Sequence, residues 1–482
     1  MFKSSILYTV GGALPMASGF ALLPFYTKTL SVSQFGWLGI YIIISLLAQI
    51  ISSYATDTYL GVNFIKVKED KAKANRMLHQ VFTFICMLSA GFLLISFLVG
   101  DYFFSHIIDS SGSIKFYNYG WMSLVTGVCN GIFKTYTNYH VYTQRAWRYF
   151  FLNLFNFFVT IVITLVGIYL SPNTLDGPVY GRLLSGVAIM LLSFVLLFKE
   201  NDFRFDFSIP EGFHKFCFPY LIYLIMIWIV GNIDRFIINN HLDSEILGYY
   251  DFALKCVILI EFFQSGITSA FYPEVFRIWK NTGNNATTPE SNRYFNTFSL
   301  LNILLASLMS IVLPFLLPFV IPHKSYYESF SLIGILAASY VTRSLYHYYL
   351  TPILYLQKTS ILPKVFGILA AIQILGTYLF IELWGVDGIV FMAVFIKIAQ
   401  VLLLWLFSRK LFSFSMNPLK MIYLPALYIA MVFVVWINAQ SIFSYTPYLI
   451  ILVLISLLIF IVYRKEIIYL VDKIKVRYKR GN

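Results

Sequence analysis

Five ionisable side chains stand where an ionised group has least reason to be. Arg182, Lys255, Arg343, Lys397 and Glu261 each lie inside an otherwise apolar run. In hydrocarbon such a group costs about 2.5–3.5 kcal/mol on insertion scales, so it persists where it meets a wet cavity or a partner. Four cations facing a common interior have the chemistry to hold an anion and strip its water. A lone acid among them has the chemistry to exchange a proton or bind a small cation. Nothing points to covalent catalysis: no GxGxxG, Walker A or HExxH pattern occurs, and no cofactor or metal is expected. Cys86, Cys129, Cys217 and Cys256 stand singly, without CxxC spacing, and read as small core residues.

Each charge also has a plainer reading. Lys397 lies near the middle of the run 386–408, where its side chain is least able to reach a headgroup, and it is the hardest to explain structurally. Arg343 shares a helical face with Tyr340 and His347, which suits either packing or a sugar-phosphate path. Lys255 follows Asp251 by four residues, the spacing of a helix-surface ion pair. Arg182 lies one turn from a span end and can snorkel. Glu261 is six residues past Lys255, about 600° round the helix, so the two do not share a face. It is either a coupling site for H+ or Na+ or a neutral acid bonded to a neighbour.

The elements that must position these groups are membrane helices. The composition is 59% hydrophobic and 12% charged, against roughly 25% charged in a soluble globular chain. Apolar runs long enough to cross about 30 Å of hydrocarbon recur from end to end. Within lipid their backbone amides can be satisfied only inside the segment, as helices. Fourteen spans are expected, at 4–27, 36–56, 78–100, 115–138, 148–170, 178–198, 215–238, 249–271, 295–320, 329–352, 361–382, 386–408, 418–437 and 444–463. The first has no A-x-A cleavage site and is read as a span, not a removed signal. The fold class is therefore all-α and polytopic.

The net charge of +13 reads as topology, not as nucleic-acid binding. With both termini cytoplasmic, 27 of the 35 basic residues fall on cytoplasmic loops, helix ends and tails; Lys28, Lys115, Arg235 and Lys324 fall on the other side. The remaining four are the intramembrane cations. This bias sets the expected orientation, and the basic tail 464–480 is expected to lie along headgroups. No loop is large enough for an extracytoplasmic catalytic domain.

The chain also repeats at an offset of about 212 residues. Leu30-Ser31-Val32-Ser33-Gln34-Phe35-Gly36-Trp37 matches Leu242-Asp243-Ser244-Glu245-Ile246-Leu247-Gly248-Tyr249. Tyr142-x-Gln144-Arg145 matches Tyr355-x-Gln357-Lys358, and Asp176-Gly177-x-Val179 matches Asp387-Gly388-x-Val390. An even number of spans separates the copies, so this is a parallel repeat. It divides the chain into an N-lobe (1–207, spans 1–6), a C-lobe (208–410, spans 7–12) and an appendix (411–482). The repeat sets Lys397 opposite Gly186, one turn from Arg182, so both lobes are expected to carry a cation on corresponding faces.

The stretch Asn232-Ile-Asp234-Arg235 through Gly248-Tyr249-Tyr-x-x-Ala253-x-Lys255 resembles the polysaccharide transporter family. The opening Gly11, Pro15, Pro24, Leu30-Ser31-x-x-x-Phe35-Gly36 is similar to that family's first span and turn. The resemblance covers nearly the whole chain and is closest to O-antigen (Wzx-type) flippases of the multidrug/oligosaccharidyl-lipid/polysaccharide exporter superfamily. It implies a bacterial inner-membrane protein that carries a polyprenyl-diphosphate-linked oligosaccharide between leaflets, with membrane lipids and H+ or Na+ as further partners. Related lipid II flippases are expected to carry an arginine–aspartate cluster in the first two spans. Spans 1 and 2 here hold no interior arginine, so those roles are not carried over. Two rival readings are an organic-cation antiporter, which would prefer an acidic cavity, and a glycan polymerase or glycosyltransferase, which would need a long outer loop.

Overall fold

The computed structural model describes residues 2–67, 70–108, 112, 114–283, 285–321, 323–438, 454, 457, 458 and 461–468. Among these there is no strand, only an isolated bridge between Ala286 and Ser413. The helices run α1 (Phe2–Ala21), α2 (Leu23–Thr29), α3 (Val32–Ser53), α4 (Thr56–Val67), α5 (Lys71–Phe103), α6 (Trp121–Tyr142), α7 (Ala146–Leu170), α8 (Asp176–Asn201) and α9 (Phe213–His241). They continue with α10 (Ser244–Thr282), α11 (Pro289–Val320), α12 (Phe330–Ser339), α13 (Arg343–Tyr355), α14 (Ile361–Trp384), α15 (Val386–Ser408) and α16 (Leu424–Asn438). Nine stretches among the described residues are long and apolar enough to cross a membrane. The protein is an all-helical polytopic membrane protein. The first thirteen expected spans all fall on helical elements, and the fourteenth lies mostly outside the described residues.

Local sequence sets where helices start and bend. Ser31 caps α3 in a reciprocal box with Gln34, and Thr288 does the same for α11 with Ser291, with Pro289 in the first turn. Span 1 breaks at Leu22, just before Pro24. Span 2 breaks between α3 and α4 at Tyr54 and Ala55, two consecutive non-glycine residues in the left-handed region (φ 48° and 56°).

The chain forms two compact units, one of Met1–Asp251 with Gln373–Tyr378 and one of Phe252–Ile372 with Leu379–Asn482. In the first, α3 packs chiefly on α6, α7 on α8 and α1 on α7. The α3–α6 contact depends on Gly127 and Gly131: a Cβ on Gly127 would come within 2.2 Å of the Ser45 carbonyl oxygen. Such small-residue spacing lets membrane helices approach where lipid supplies no hydrophobic drive. The connection 202–212 is bound to α5 by Arg76–Asp206 (3.2 Å), Gln80–Ser208 (2.6 Å) and the Asp206 N–H donating to Thr83 (3.0 Å). Hydrogen bonds from Ser208, with help from Arg76, hold the Asp206 carboxyl below its usual range. In the second unit, α11 packs on α12 and α13, α13 on α15, and α12 on α16. There Lys420 and Glu466 form a buried ion pair (2.6 Å), and the Tyr463 hydroxyl donates to the Lys420 carbonyl.

The sequence repeat has a physical cause. Gln144 and Gln357 both adopt the left-handed conformation (φ 60° and 55°). Arg145 N–H returns to the His140 carbonyl (2.8 Å) and Lys358 N–H to the Ile353 carbonyl (3.0 Å). These are matching helix-terminating motifs, closing α6 and α13 alike. Gly36 and Gly248, also repeat-related, touch: a Cβ on Gly36 would lie 2.8 Å from the Gly248 nitrogen.

Candidate substrate site

The second unit gathers three of the five charges singled out from sequence, around a break in span 10. Ser339 donates to the Leu336 carbonyl, Thr342 to Ser339 and Ser344 to Val341, each three residues back. This ladder of hydroxyls competes with the normal helical bonds. The backbone tightens into a 3-10 turn over Tyr340–Thr342, ending α12 and starting α13 at Arg343. Short 3-10 stretches within a helix often mark functional hinges. The Tyr340 carbonyl accepts from buried Gln264 of α10 (3.2 Å), which also donates to Asn302 of α11 (3.1 Å).

Both cations attach to this break. The Lys397 ammonium, from α15, donates to Ser339 Oγ (2.8 Å) and lies 3.2 Å from the centroid of the Tyr340 ring. It therefore sits at the C-terminus of α12, where the helix dipole favours a positive charge. The Arg343 guanidinium lies over the Tyr346 ring, 4.5 Å from its centroid. Glu261, Tyr340 and Tyr272 also lie close enough to act electrostatically on Arg343, which in turn acts on His347. One turn further along α13, His347 Nδ1 is 2.5 Å from the Tyr272 hydroxyl. The result is a cluster of two cations, one acid, one imidazole and a group of tyrosines, on three helices and the 3-10 turn of one unit.

Lys255 and Arg182, the other two predicted residues, stand on α10 and α8. Lys255, near the start of the second unit, has a buried ammonium but stands on α10 six residues before Glu261. Arg182 belongs to the first unit, where it lines a small recess with Tyr41, Ser45, Ser123 and Thr126. Its Nε is buried with no hydrogen-bond partner among the described residues.

Two charged groups that the sequence reading keeps out of the candidate site find carboxylate partners. Arg235, sorted there with the outer-side basic residues, is buried inside α9. It donates to Asp251 of α10 (2.8 Å), while Asp234 accepts from the Arg235 backbone N–H (2.9 Å) and from the Tyr250 hydroxyl (2.6 Å). Lys134, sorted with the cytoplasmic loop ends, pairs with buried Asp57 (3.3 Å), which also accepts from Asn138 (3.0 Å). Partners so far apart in sequence give no local signal. The hydroxyl ladder Ser339-x-x-Thr342-x-Ser344 did carry one, beside a charge already suspected.

A helical membrane fold built this way is that of flippases and multidrug exporters. The chain is similar to the lipid II flippase MurJ in an inward-closed conformation, with a TM-score of 0.73 at 15% identity, covering 96% of this chain and 100% of that one. It is also similar to an inward-facing multidrug resistance MATE family transporter of the MOP superfamily (TM-score 0.64, 13% identity, 84% of this chain and 94% of that one). A MOP superfamily transporter from Pyrococcus furiosus gives 0.54 at 12% identity, again over 84% and 94%. The chain belongs to the polysaccharide biosynthesis protein family, whose model matches residues 27–290. No curated protein sequence matches it directly.

Proposed function

We propose that this protein translocates a polyprenyl-diphosphate-linked oligosaccharide, the repeat unit of an O-antigen or related surface polysaccharide. The movement runs from the cytoplasmic to the outer leaflet of a bacterial inner membrane, with both termini cytoplasmic. Alternating access between lobes 1–207 and 208–410 carries it, with 411–482 appended. Membership of a polysaccharide biosynthesis family and the flippase-type fold support the reading. The observation that carries it is the seating of Lys397 and Arg343 on tyrosine rings at the span 10 break.

A ring face attracts a cation through its quadrupole by about 0.5–2 kcal/mol, and it leaves the positive charge intact. An arriving diphosphate can then replace ring contacts with charge-assisted hydrogen bonds, which are stronger. Arg182 and Lys255 extend the cationic path, while the polyprenyl tail stays in lipid. Moving a doubly negative group out of an inside-negative cell is favoured by about 2.3 kcal/mol per charge per 100 mV. Glu261, within electrostatic reach of Arg343, is the place where H+ or Na+ can be coupled to anion release.

The test is replacement of Lys397 and Arg343 singly by Ala. Surface glycan is expected to disappear while membrane insertion persists and lipid-linked oligosaccharide builds up on the cytoplasmic leaflet. Normal glycan in both variants overturns the site. A deletion strain that accumulates no lipid-linked oligosaccharide overturns the function.

A further inference from the structure

The first unit encloses a second feature that the cationic cluster does not use, a cavity of about 790 Å³. Every residue lining it belongs to that unit, including Ile374 and Tyr378 of α14. Its walls are apolar: Ile44, Leu47 and Ile51 of α3 face Phe92 and Val99 of α5 and Trp228 of α9. Polar groups gather at one end. His241 closes α9, Asn240 precedes it, His106 stands just beyond the end of α5, and Tyr378 lies in the last third of α14. These are the helix ends opposite the basic loops.

The polar end is a built one. Asn240 donates to the Ile108 carbonyl (3.1 Å), fixing the segment after α5 to α9. His241 Nδ1 lies 2.9 Å from the Ile237 carbonyl, and its ring meets Tyr378 edge-on at 4.6 Å. His106 Nδ1 lies 3.0 Å from the Tyr102 carbonyl. In both imidazoles the ring nitrogen left for a ligand is Nε2, able to share a proton with a phosphate oxygen. Along the same cavity the apolar side chains of Ile95, Val99 and Phe103 are exposed (59%, 52% and 43%). Apolar exposure on a helix of spanning length suits contact with lipid chains.

An apolar compartment gives water too few hydrogen-bond partners to hold it, whereas a hydrocarbon chain gains contact along the whole wall. We propose that the cavity seats the hydrocarbon chain of a polyprenyl phosphate, with the phosphate at His106, His241 and Tyr378. One apolar wall with one polar pole fits a single-chain lipid; a two-chain phospholipid has a second tail to place. The assignment rests on the flippase reading, and it gives the carrier lipid a resting position in the leaflet away from the basic loops.

The full-length protein in phosphatidylcholine nanodiscs, labelled with a photoreactive polyprenyl phosphate, tests this. Labelling is expected on α5 and α9. It should fall at least tenfold in S96W and I374W, which fill the cavity, and stay unchanged in L375W, whose side chain lies on α14 but outside it. Unchanged melting behaviour in all three variants separates filling from misfolding. Equal competition by phosphatidylglycerol makes the cavity an ordinary lipid pocket and overturns the assignment, as does labelling that ignores both filling variants. Labelling confined to the neighbourhood of Arg343 and Lys397 overturns the cavity and leaves the flippase standing. Failure to bind polyprenyl phosphate anywhere, with intact glycan in the deletion strain, removes both.

Discussion

Apart from the buried Lys420–Glu466 pair of the second unit, the two units hold their buried charges differently. In the first, charges close on each other: Lys134 on Asp57, and Arg235 on Asp251 and Asp234. In the second, Lys397 and Arg343 rest on tyrosine faces beside a broken helix. For Lys134 and Asp57 the repeat makes this a comparison of like with like, whereas Arg235, Asp234 and Asp251 belong to the second copy (208–410). At the offset of 213 that aligns the two helix caps, Lys134 corresponds to His347 and Tyr59 to Tyr272. One copy thus has an ion pair where the other has an imidazole bonded to a phenol. Arg343 corresponds to Asn130 and, at the offset of 211 that aligns Gly388 with Gly177, Lys397 corresponds to Gly186, one turn from Arg182, so neither cation has a like residue at its own position. Duplication has kept the terminating motifs, which any helix of this shape needs, and let the interior chemistry diverge.

If that contrast is right, the paired charges are structural and the ring-seated ones functional, and mutation separates the two. The largest loss of stability is expected from Asp251→Ala. It takes the shorter of two carboxylate contacts from the buried Arg235 guanidinium and leaves Asp234 at 3.6 Å; breaking a buried pair costs about 3–5 kcal/mol. The thermal midpoint in detergent should fall steeply and recover in part when Arg235→Met is added. Recovery of transport without recovery of the midpoint would move Arg235 into the substrate path and break the contrast. Next come Lys397→Ala and Arg343→Ala. Each removes a charged hydrogen-bonding group worth about 1.5–3 kcal/mol, or roughly a tenfold to hundredfold loss of substrate affinity. The thermal midpoint should move less than in Asp251→Ala, because a ring face for each cation and a hydroxyl for Lys397 hold less tightly than a buried ion pair.

A smaller effect is expected from Asp57→Asn. Lys134 is 41% exposed, so solvent screens the pair and its loss costs about 1 kcal/mol. Surface glycan should stay near normal; its disappearance would make the first unit's pair part of transport. That Asp57 and Lys134 pair at all was invisible in the sequence, where one sat at a span end and the other among loop-end cations. Seventy-seven residues separate them, and only the α4–α6 packing brings them together. Arg235 was misplaced for a related reason: its position near a span end suggested a loop, and the carboxylate that buries it is sixteen residues on, in the next helix. By contrast, span lengths, the all-helical class and the repeat were legible, because each rests on local pattern. The neighbourhood of Arg343 was half legible. Tyr340 and His347 lie on its own helical face, whereas Glu261 and Tyr272 come from α10 and Lys397 from α15, at separations no periodicity reports.

The smallest effect tests the one feature that the two copies share most closely. Gln144 and Gln357 both hold positive φ at the end of their helices and are exposed, so the side chain contributes strain and little packing. Glycine adopts that conformation without penalty, while an L-residue in the left-handed region costs about 1–2 kcal/mol. Part of the gain is offset by the extra freedom glycine has in the unfolded chain. Gln144→Gly and Gln357→Gly should therefore each raise stability by up to about 1 kcal/mol, equally and additively, since the sites share no partner. Thermal midpoints of the two single variants and the double variant in detergent check this. Unequal shifts would mean that one cap is held by tertiary contacts the other lacks, and that divergence between the copies reaches their ends as well as their interiors.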